Sequence, residues 1–397
     1  MGSTAQEYGA RRAHSVLGPN VLVATSAVFA GLTGVGIPLA LNEAGFGKTY
    51  IAMFFVVTAA FAVAYNLLLV PRIGRRGYGK PSLLVTAAAV PVGILTIRFS
   101  GGNAGALLIG GALMVFSSTL VPQAIGRVSA TSEDQNAITV VTRMRQMLVG
   151  GYIVGLGVYA AVGSAGADPL IVAAVVALVS CAAALLPGWS GRATPTADVP
   201  APNVGRRTGV AVLVSALVLV GLMKSIDVLR GIYLPLFAAN QGASPAAVSV
   251  LFLVAACCEL VLLPVLSKAK VRFGTWATLA GVALAAGVSF AAVVSVPIYP
   301  SMVGSQVVYA VFGAGFQSVG MVLLAEVTGR GTGHGAAVFM AVMQVGTVLG
   351  AVLPLAVPGY SSGIFILALV TSVLCTALAI AVGTVGRSEN LKRVQRH

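Results

Sequence analysis

Six charged side chains fall inside three long apolar runs of this sequence, where an ionised group is unfavourable. The runs cover residues 137–163, 209–238 and 245–267. A charge at the centre of a membrane-spanning helix costs at least about 2.5–3.5 kcal/mol, so a residue retained there is a candidate for binding or ion translocation. The six are Arg143, Arg145, Lys224, Asp227, Arg230 and Glu259.

Three of these charges, Lys224, Asp227 and Arg230, follow one another at steps of three residues. On a helix this spacing puts Asp227 within side-chain reach of both bases. One interpretation is a self-neutralising triad without a further role. The other is a switch, in which Asp227 changes its partner when it is protonated. Two adjacent cations favour the ionised carboxylate, which makes Asp227 a poor proton carrier near neutral pH.

Glu259 differs because its neighbours in the sequence are apolar and no base lies within one helical turn. Burial without a counter-charge favours the protonated carboxyl group. We therefore predict Glu259 to be the principal proton-coupling group, with Asp227 as the second candidate. The alternative is a neutral glutamic acid that hydrogen-bonds between helices.

The run at 137–163 carries two stripes of side chains at helical spacing. Arg145, Tyr152 and Tyr159 recur every seven residues, and Gly150 and Gly157 form a second stripe. Because glycine permits close helix packing, we predict that the glycine stripe contacts a helix and that the Arg145 stripe lines a cavity. Tyrosine rings and an arginine fork can stack on sugars or aromatic compounds and hydrogen-bond hydroxyls or anions. The alternative is that Arg145 pairs with an acid to hold the helices together.

Further polar side chains complete the predicted substrate cavity. For two of them, Gln317 and Gln344, hydrogen bonding between helices is an equally good interpretation. Two glycine pairs, Gly151/Gly155 and Gly346/Gly350, have the four-residue spacing that favours close helix packing. The additional cavity residues are Lys224, Arg230, Tyr233, Gln317 and Gln344.

The elements that position these residues are predicted to be membrane-spanning helices. The chain has 397 residues, of which 58% are hydrophobic and 9% charged, whereas soluble proteins carry about 25% charged residues. The apolar runs are continuous and near the ~20 residues that a spanning helix needs, which favours helices over a β-barrel. We predict twelve spans, at 17–41, 50–70, 81–99, 104–125, 137–163, 169–187, 209–238, 245–267, 276–296, 301–325, 335–359 and 360–384.

The basic residues outside the spans fall on one side of the membrane. If both termini are cytoplasmic, eighteen Lys and Arg lie in tails and inside loops, and only Lys48 lies in an outside loop. The positive-inside rule thus places both termini in the cytoplasm. It also accounts for the net charge of +14 without a nucleic-acid partner. A composition rich in Ala, Val and Gly and poor in Lys suggests a GC-rich bacterial source, and hence the bacterial cytoplasmic (inner) membrane.

The sequence also repeats itself. Pro38 and Gly45 recur as Pro235 and Gly242 at one offset of 197, and other short matches follow at offsets of 194–203. A duplicated half predicts two similar six-helix bundles, and transporters built this way bind their substrate between the halves. The predicted domains are residues 1–187, a cytoplasmic linker at 188–208 that is rich in proline, and residues 209–397 with a basic tail.

This six-plus-six layout resembles the major facilitator superfamily. The loop at 71–77 is similar to the signature of that superfamily, in which an Asp-Arg pair precedes Gly-Arg-Arg, although Pro71 occupies the Asp position. The acidic half of the intracellular latch is therefore absent from this loop, and any acid must come from elsewhere. The resemblance implies a major facilitator fold that works by alternating access. It also implies a cytoplasmic gate formed by Arg72, Arg75, Arg76, Lys270 and Arg272.

Within that superfamily the chain resembles the sugar efflux transporter family along most of its length. The matching stretches include residues 121–123, 144–145, 233–236 and 258–260, but Tyr233 stands where the family has an Asp. The resemblance implies proton-coupled efflux of sugars, glycosides or related small polar molecules. The departure at Tyr233 leaves a multidrug or natural-product (antibiotic) exporter as the alternative, and an importer as a third.

Enzyme chemistry finds no support in the motifs. The sequence has no nucleotide-binding loop or catalytic triad, and its four cysteines lack metal-ligand spacing. We therefore expect no enzymatic activity, no metal and no cofactor other than a proton gradient. The expected partners are a small-molecule substrate and the lipid bilayer, with the protein as a monomer.

Overall fold

A computed structural model of the chain describes residues 2–69, 80–130, 137–186, 189, 209–328 and 332–394. All regular elements in these ranges are helical. We number the helices by predicted span, so that the two halves of the fourth span are α4a and α4b. They are α1 Gly2–Glu43, α2 Lys48–Ala64, α3 Lys80–Arg98, α4a Ala104–Met114, α4b Ser117–Ala130, α5 Ala137–Ser164, α6 Pro169–Ala183, α7 Val210–Asn240, α8 Pro245–Phe273, α9 Thr275–Ser295, α10 Tyr299–Thr328, α11 Thr332–Val352 and α12 Gly363–Val394.

Each predicted span coincides with one of these helices, which confirms the predicted class of helical membrane protein. Ten helical stretches are long and apolar enough to cross a membrane. The other two, α2 and α6, have 17 and 15 residues. Helix α2 continues as a π-helix over Tyr65–Leu69, whereas the fourth span is interrupted at Val115 and Phe116. The crossing of all twelve spans stays a prediction.

Helices α1 and α7 end in the same way, which the repeat predicts. Gly45 and Gly242 follow them with φ angles of 83° and 84°, a left-handed conformation that glycine adopts without steric penalty. The amide after each glycine donates to the carbonyl five residues earlier, at 3.1 Å after α1 and 3.0 Å after α7. The matched proline and glycine positions thus mark matched helix ends.

The chain divides into two compact units, Met1–Ala197 and Asp198–His397. The division falls within the predicted linker at 188–208, most of which lies outside the described residues. Helix pairings are the same inside each unit. In the first unit α1 packs mainly on α5 and α6, and α3 on α4a and α6; in the second unit α7 packs on α11 and α12, and α9 on α10 and α12. The predicted domain boundaries themselves stay a prediction.

The closest helix contacts repeat residue by residue. A Cβ atom added to Gly155 of α5 would lie 2.2 Å from the carbonyl oxygen of Val28, and one added to Gly350 of α11 would lie 2.4 Å from that of Ser225. These residues match at offsets of 195 and 197. The same correspondence holds one turn earlier, for the pairs Gly151–Ala24 and Gly346–Gly221. Both predicted glycine pairs are therefore confirmed as sites of close helix packing.

The predicted contact of the Gly150/Gly157 stripe with another helix is wrong. A Cβ atom at Gly150 or Gly157 would meet nothing within 4 Å in the described part of the chain. The hydroxyl of Tyr152 instead lies beside Gly34 of α1, and the ring of Tyr159, only 3% exposed, lies beside Gly36 of the same helix. Both tyrosines share a face with the packed glycine Gly155, three residues before and four after it, and this face meets α1. The contacts with α1 are thus established within the first unit, and the cavity role of Arg145, Tyr152 and Tyr159 stays a prediction.

Candidate functional site

Helix α7 carries the lysine and the aspartate of the predicted triad. The stem of Lys224 runs across Gly346 of α11, where an added Cβ atom would lie 2.5 Å from the Lys224 Cβ. Its Nζ then donates to Oδ2 of Asp227 at 2.7 Å, across one helical turn. Both side chains remain partly exposed, at 18% and 27%. The glycine on α11 thus gives the lysine room to lie along α7 and to pair with the carboxylate.

The second oxygen of Asp227 accepts a hydrogen bond from α10. The hydroxyl of Tyr309 donates to Oδ1 at 3.3 Å, and Tyr309 itself is only 2% exposed. Asp227 therefore has one cation and one hydroxyl as partners. Among the described residues it makes no ion pair with Arg230. The predicted triad is thus a direct Lys224–Asp227 pair, with Arg230 near enough to act on the carboxylate by its charge but bonded elsewhere.

Arg230 is 8% exposed and makes contacts of a different kind. Its Nε donates to Oε1 of Gln306 on α10 at 2.7 Å. The guanidinium carbon lies 4.2 Å from the ring centroid of Tyr309 and 4.4 Å from that of Phe252 on α8, within the range of cation–π attraction. Its Nη2 is buried and has no hydrogen-bond partner in the structure. The arginine is thus held by rings and an amide rather than by an acid.

Glu259 on α8 reaches the same part of α10. Its Oε2 lies 2.7 Å from the position that a Cβ atom would take on Gly313, one turn beyond Tyr309. Tyr309 lies within electrostatic reach of Asp227, Arg230 and Glu259. We call Lys224, Asp227, Arg230, Glu259 and Tyr309 the charged cluster. The structure brings the predicted charges of α7 and α8 around one buried tyrosine.

Helix α10 contributes residues to the site that were not predicted from the sequence. Gln306, Tyr309 and Gly313 follow one another at i, i+3 and i+7, so an amide, a phenol and a small residue share one helical face. The stripe test applied to the fifth span would have found this face in the tenth. Phe252, which contacts Arg230, has no distinguishing signal in an apolar run.

The remaining predicted cavity residues do not join the charged cluster. Tyr233 is 0% exposed, and its hydroxyl donates to the carbonyl oxygen of Ala351 on α11 at 2.6 Å. In this structure it therefore packs α7 against α11 within the second unit, and its role in the cavity stays a prediction. Gln317 is exposed on α10, and Gln344 is partly buried on α11. The side chain of Arg145, on α5, lies outside the described residues.

One of the predicted gate residues forms an ion pair. Nζ of Lys270, near the end of α8, lies 3.5 Å from Oε1 of Glu326 on α10. The hydroxyl of Thr275, at the start of α9, donates to the other carboxylate oxygen at 2.9 Å. Glu326 is thus an acid that the sequence analysis did not identify, at the meeting point of three helix ends. Arg272 lies 5.3 Å from the neighbouring ring of Phe273, and Arg72, Arg75 and Arg76 lie outside the described residues.

Comparisons with known proteins show the fold. No family model matches the sequence, and no curated protein matches it either. Among solved structures, that of the nucleoside transporter NupG matches with a TM-score of 0.70 at 14% identity, over 92% of this chain and 97% of that one. A POT family transporter in complex with a thioalcohol-conjugated peptide gives 0.76 at 12% identity, over 94% and 96%. The peptide transporter POT in complex with sulfate gives 0.73 at 13% identity, over 93% and 95%.

These matches span nearly the whole of each chain. The fold is therefore that of the major facilitator superfamily, as the sequence predicted, and the protein is a multi-pass membrane protein. At identities of 12–14% the likeness concerns the fold.

Proposed function

We propose that the protein is a secondary active transporter that carries a small molecule across a membrane by alternating access. The observation that carries this proposal is the charged cluster, four ionisable side chains and a buried tyrosine within apolar helices. Charges at such depth are unfavourable and mark ion and substrate pathways. The fold adds support, because the solved structures that share it include nucleoside and peptide transporters.

In this proposal the two acids of the cluster have different tasks. Asp227 pairs with Lys224 and accepts a hydrogen bond from Tyr309, and its task is to hold these two side chains in place. Glu259, whose carboxylate lies against Gly313, takes up and releases the proton. Tyr309 lies between them, so a change of charge on Glu259 alters the field at the Asp227 pair. Proton binding can thereby change the relative stability of the conformations of the transporter.

The proposed transport is efflux of sugars, glycosides or related small polar molecules. The resemblance to sugar efflux transporters supports it, as does a cluster that can hydrogen-bond hydroxyl groups. A multidrug or natural-product exporter is the second candidate. The departure from the sugar efflux pattern at Tyr233, where that family has an Asp, favours it.

A flux assay in proteoliposomes tests this proposal. Purified protein is reconstituted, a pH gradient is imposed in either direction, and sugars, glycosides, aminoglycosides and lipophilic drugs are compared with protein-free liposomes. We expect one class to move against its own gradient when the proton gradient drives exchange. Movement of sugars supports the first candidate and movement of drugs the second. Flux equal to that of protein-free liposomes for every class would contradict a transport function.

A further inference from the structure

Arg230 carries an unmet hydrogen-bond donor in the interior of the second unit. Its Nη2 is buried and has no partner in the structure, and the whole residue is 8% exposed. Buried polar groups in native proteins are nearly always hydrogen-bonded, so an exception calls for an explanation. The cost is higher for a charged group, and higher still among apolar helices.

The groups in direct contact with the guanidinium of Arg230 are uncharged. Gln306 accepts from Nε, and the rings of Phe252 and Tyr309 take up the faces of the group. Asp227, the nearest acid on the same helix, gives its two oxygens to Lys224 and Tyr309. In the part of the chain that the structure describes, no acid forms an ion pair with Arg230. Its charge is fixed in place while one donor of its planar fork remains unused.

Such an arrangement matches the binding requirements of an oxyanion. Carboxylate, phosphate and sulfate oxygens accept from two parallel N–H groups of a guanidinium, with short and charge-assisted hydrogen bonds. The amide of Gln306 is itself held, because its Nε2 donates to Oγ of Ser305 at 3.0 Å. The guanidinium therefore has little freedom to seek another partner, and its recognition geometry is set before a ligand arrives.

We propose that Arg230 binds an anionic group of the transported substrate, so that the substrate is an acid, such as a uronic acid or a sugar phosphate, rather than a neutral sugar. This rests on the proposed transport function and narrows its substrate class. In the proposed complex, an oxygen of the anion accepts from Nη2. The rings of Phe252 and Tyr309 keep the guanidinium in plane for this contact.

The test compares three probes that share one sugar ring and differ in the charge at C6: glucose, glucuronate and glucose 6-phosphate. Each is offered to proteoliposomes, and each is also added to the detergent-purified protein during thermal unfolding. We expect glucuronate or glucose 6-phosphate, but not glucose, to be transported and to raise the unfolding temperature. Transport or stabilisation by glucuronate alone would indicate a carboxylate site, and the same effect of glucose 6-phosphate alone would indicate a phosphate site.

Two variants decide whether Arg230 is responsible. Gln306→Glu places a carboxylate beside Nε and supplies the missing counter-charge from within the protein, so the apparent affinity for the anionic probe should fall about tenfold to a hundredfold. Arg230→Lys keeps the positive charge but loses the planar guanidinium. It should lower the apparent affinity for the anionic probe less than Gln306→Glu does. If glucose moves as well as glucuronate and neither variant changes the ratio, the anion site is refuted while transport stands. If no probe moves or binds, the anion site fails together with the transport function for this class.

Discussion

The contact between Glu259 and Gly313 predicts that one added methyl group on α10 will disturb proton coupling. In Gly313→Ala the new Cβ atom would lie 2.7 Å from Oε2 of Glu259 and 3.3 Å from its Cδ, whereas ordinary contacts begin at 3.4 Å. The carboxylate must therefore move by at least about 0.7 Å. The substitution changes the position of the proposed proton carrier without changing any charge.

The expected cost to stability is small and the expected cost to coupling is large. Alanine is favoured over glycine within a helix by up to ~1 kcal/mol, and the displaced atoms belong to the far end of a flexible side chain. We expect the free energy of unfolding to change by less than about 1 kcal/mol. A displacement near 1 Å in a positioned reactive group can lower rates by as much as ~100-fold. We therefore expect Gly313→Ala to lower gradient-driven flux about tenfold.

The assay compares flux driven by an imposed pH gradient with substrate counterflow in its absence, in matched proteoliposomes. Gly304→Ala on the same helix is the control, because its Cβ atom would meet nothing within 4 Å. We expect Gly304→Ala to behave as the parent protein, and Gly313→Ala to keep counterflow while it loses most of the gradient response. If Gly313→Ala follows the gradient as the parent does, the position assigned to Glu259 has no part in coupling.

Three further predictions concern the packing and the ends of the helices. Gly155→Ala should destabilise the first unit by about 1–3 kcal/mol, since its Cβ atom would meet backbone atoms. Gly157→Ala is the control and should be neutral or slightly stabilising. Equal unfolding temperatures of the two variants in detergent would contradict the packing of α5. Tyr233→Phe should cost about 1 kcal/mol through the lost hydrogen bond and leave substrate preference unchanged in a flux panel; a shifted preference would return this residue to the cavity. Glu326→Gln should lower the free energy of unfolding by less than about 1 kcal/mol, because the ion pair of Glu326 with Lys270 is partly exposed. The difference in unfolding free energy between variant and parent should shrink in high salt. A larger loss that does not depend on salt would show that the pair is shielded from solvent.

Hydropathy predicted the helical fold because a long apolar run in lipid must satisfy its backbone hydrogen bonds internally, which a helix does. Every predicted span coincides with a helix, and the repeat predicted matched ends at Gly45 and Gly242. The π-helix at 65–69 and the break at Val115 and Phe116 were not predicted. The two irregular segments meet through packing of the Tyr65 and Phe116 rings, whose centroids lie 4.7 Å apart. Such contacts depend on tertiary structure, which periodicity within one helix does not contain.

The charged residues of the candidate site were predicted from the sequence, and the uncharged ones were not. Asp227 and Glu259 stand out in the sequence because ionised groups are rare in apolar runs. Tyr309, which lies beside both, carries no charge and was missed. The glycine stripe of α5 was assigned to the wrong neighbour, since spacing defines a face of a helix without saying what that face meets. The ring of Tyr159, for example, lies beside Gly36 of α1, a contact that spacing alone does not indicate.

The central claim is that the charged cluster couples proton movement to transport through Glu259. Its most direct test is the flux of a transported substrate by Glu259→Gln in proteoliposomes, with and without an imposed pH gradient. We expect Glu259→Gln to retain counterflow and to lose its response to the gradient, and Asp227→Asn to weaken transport with some gradient response remaining. Gradient-driven transport by Glu259→Gln at the rate of the parent protein would contradict the claim.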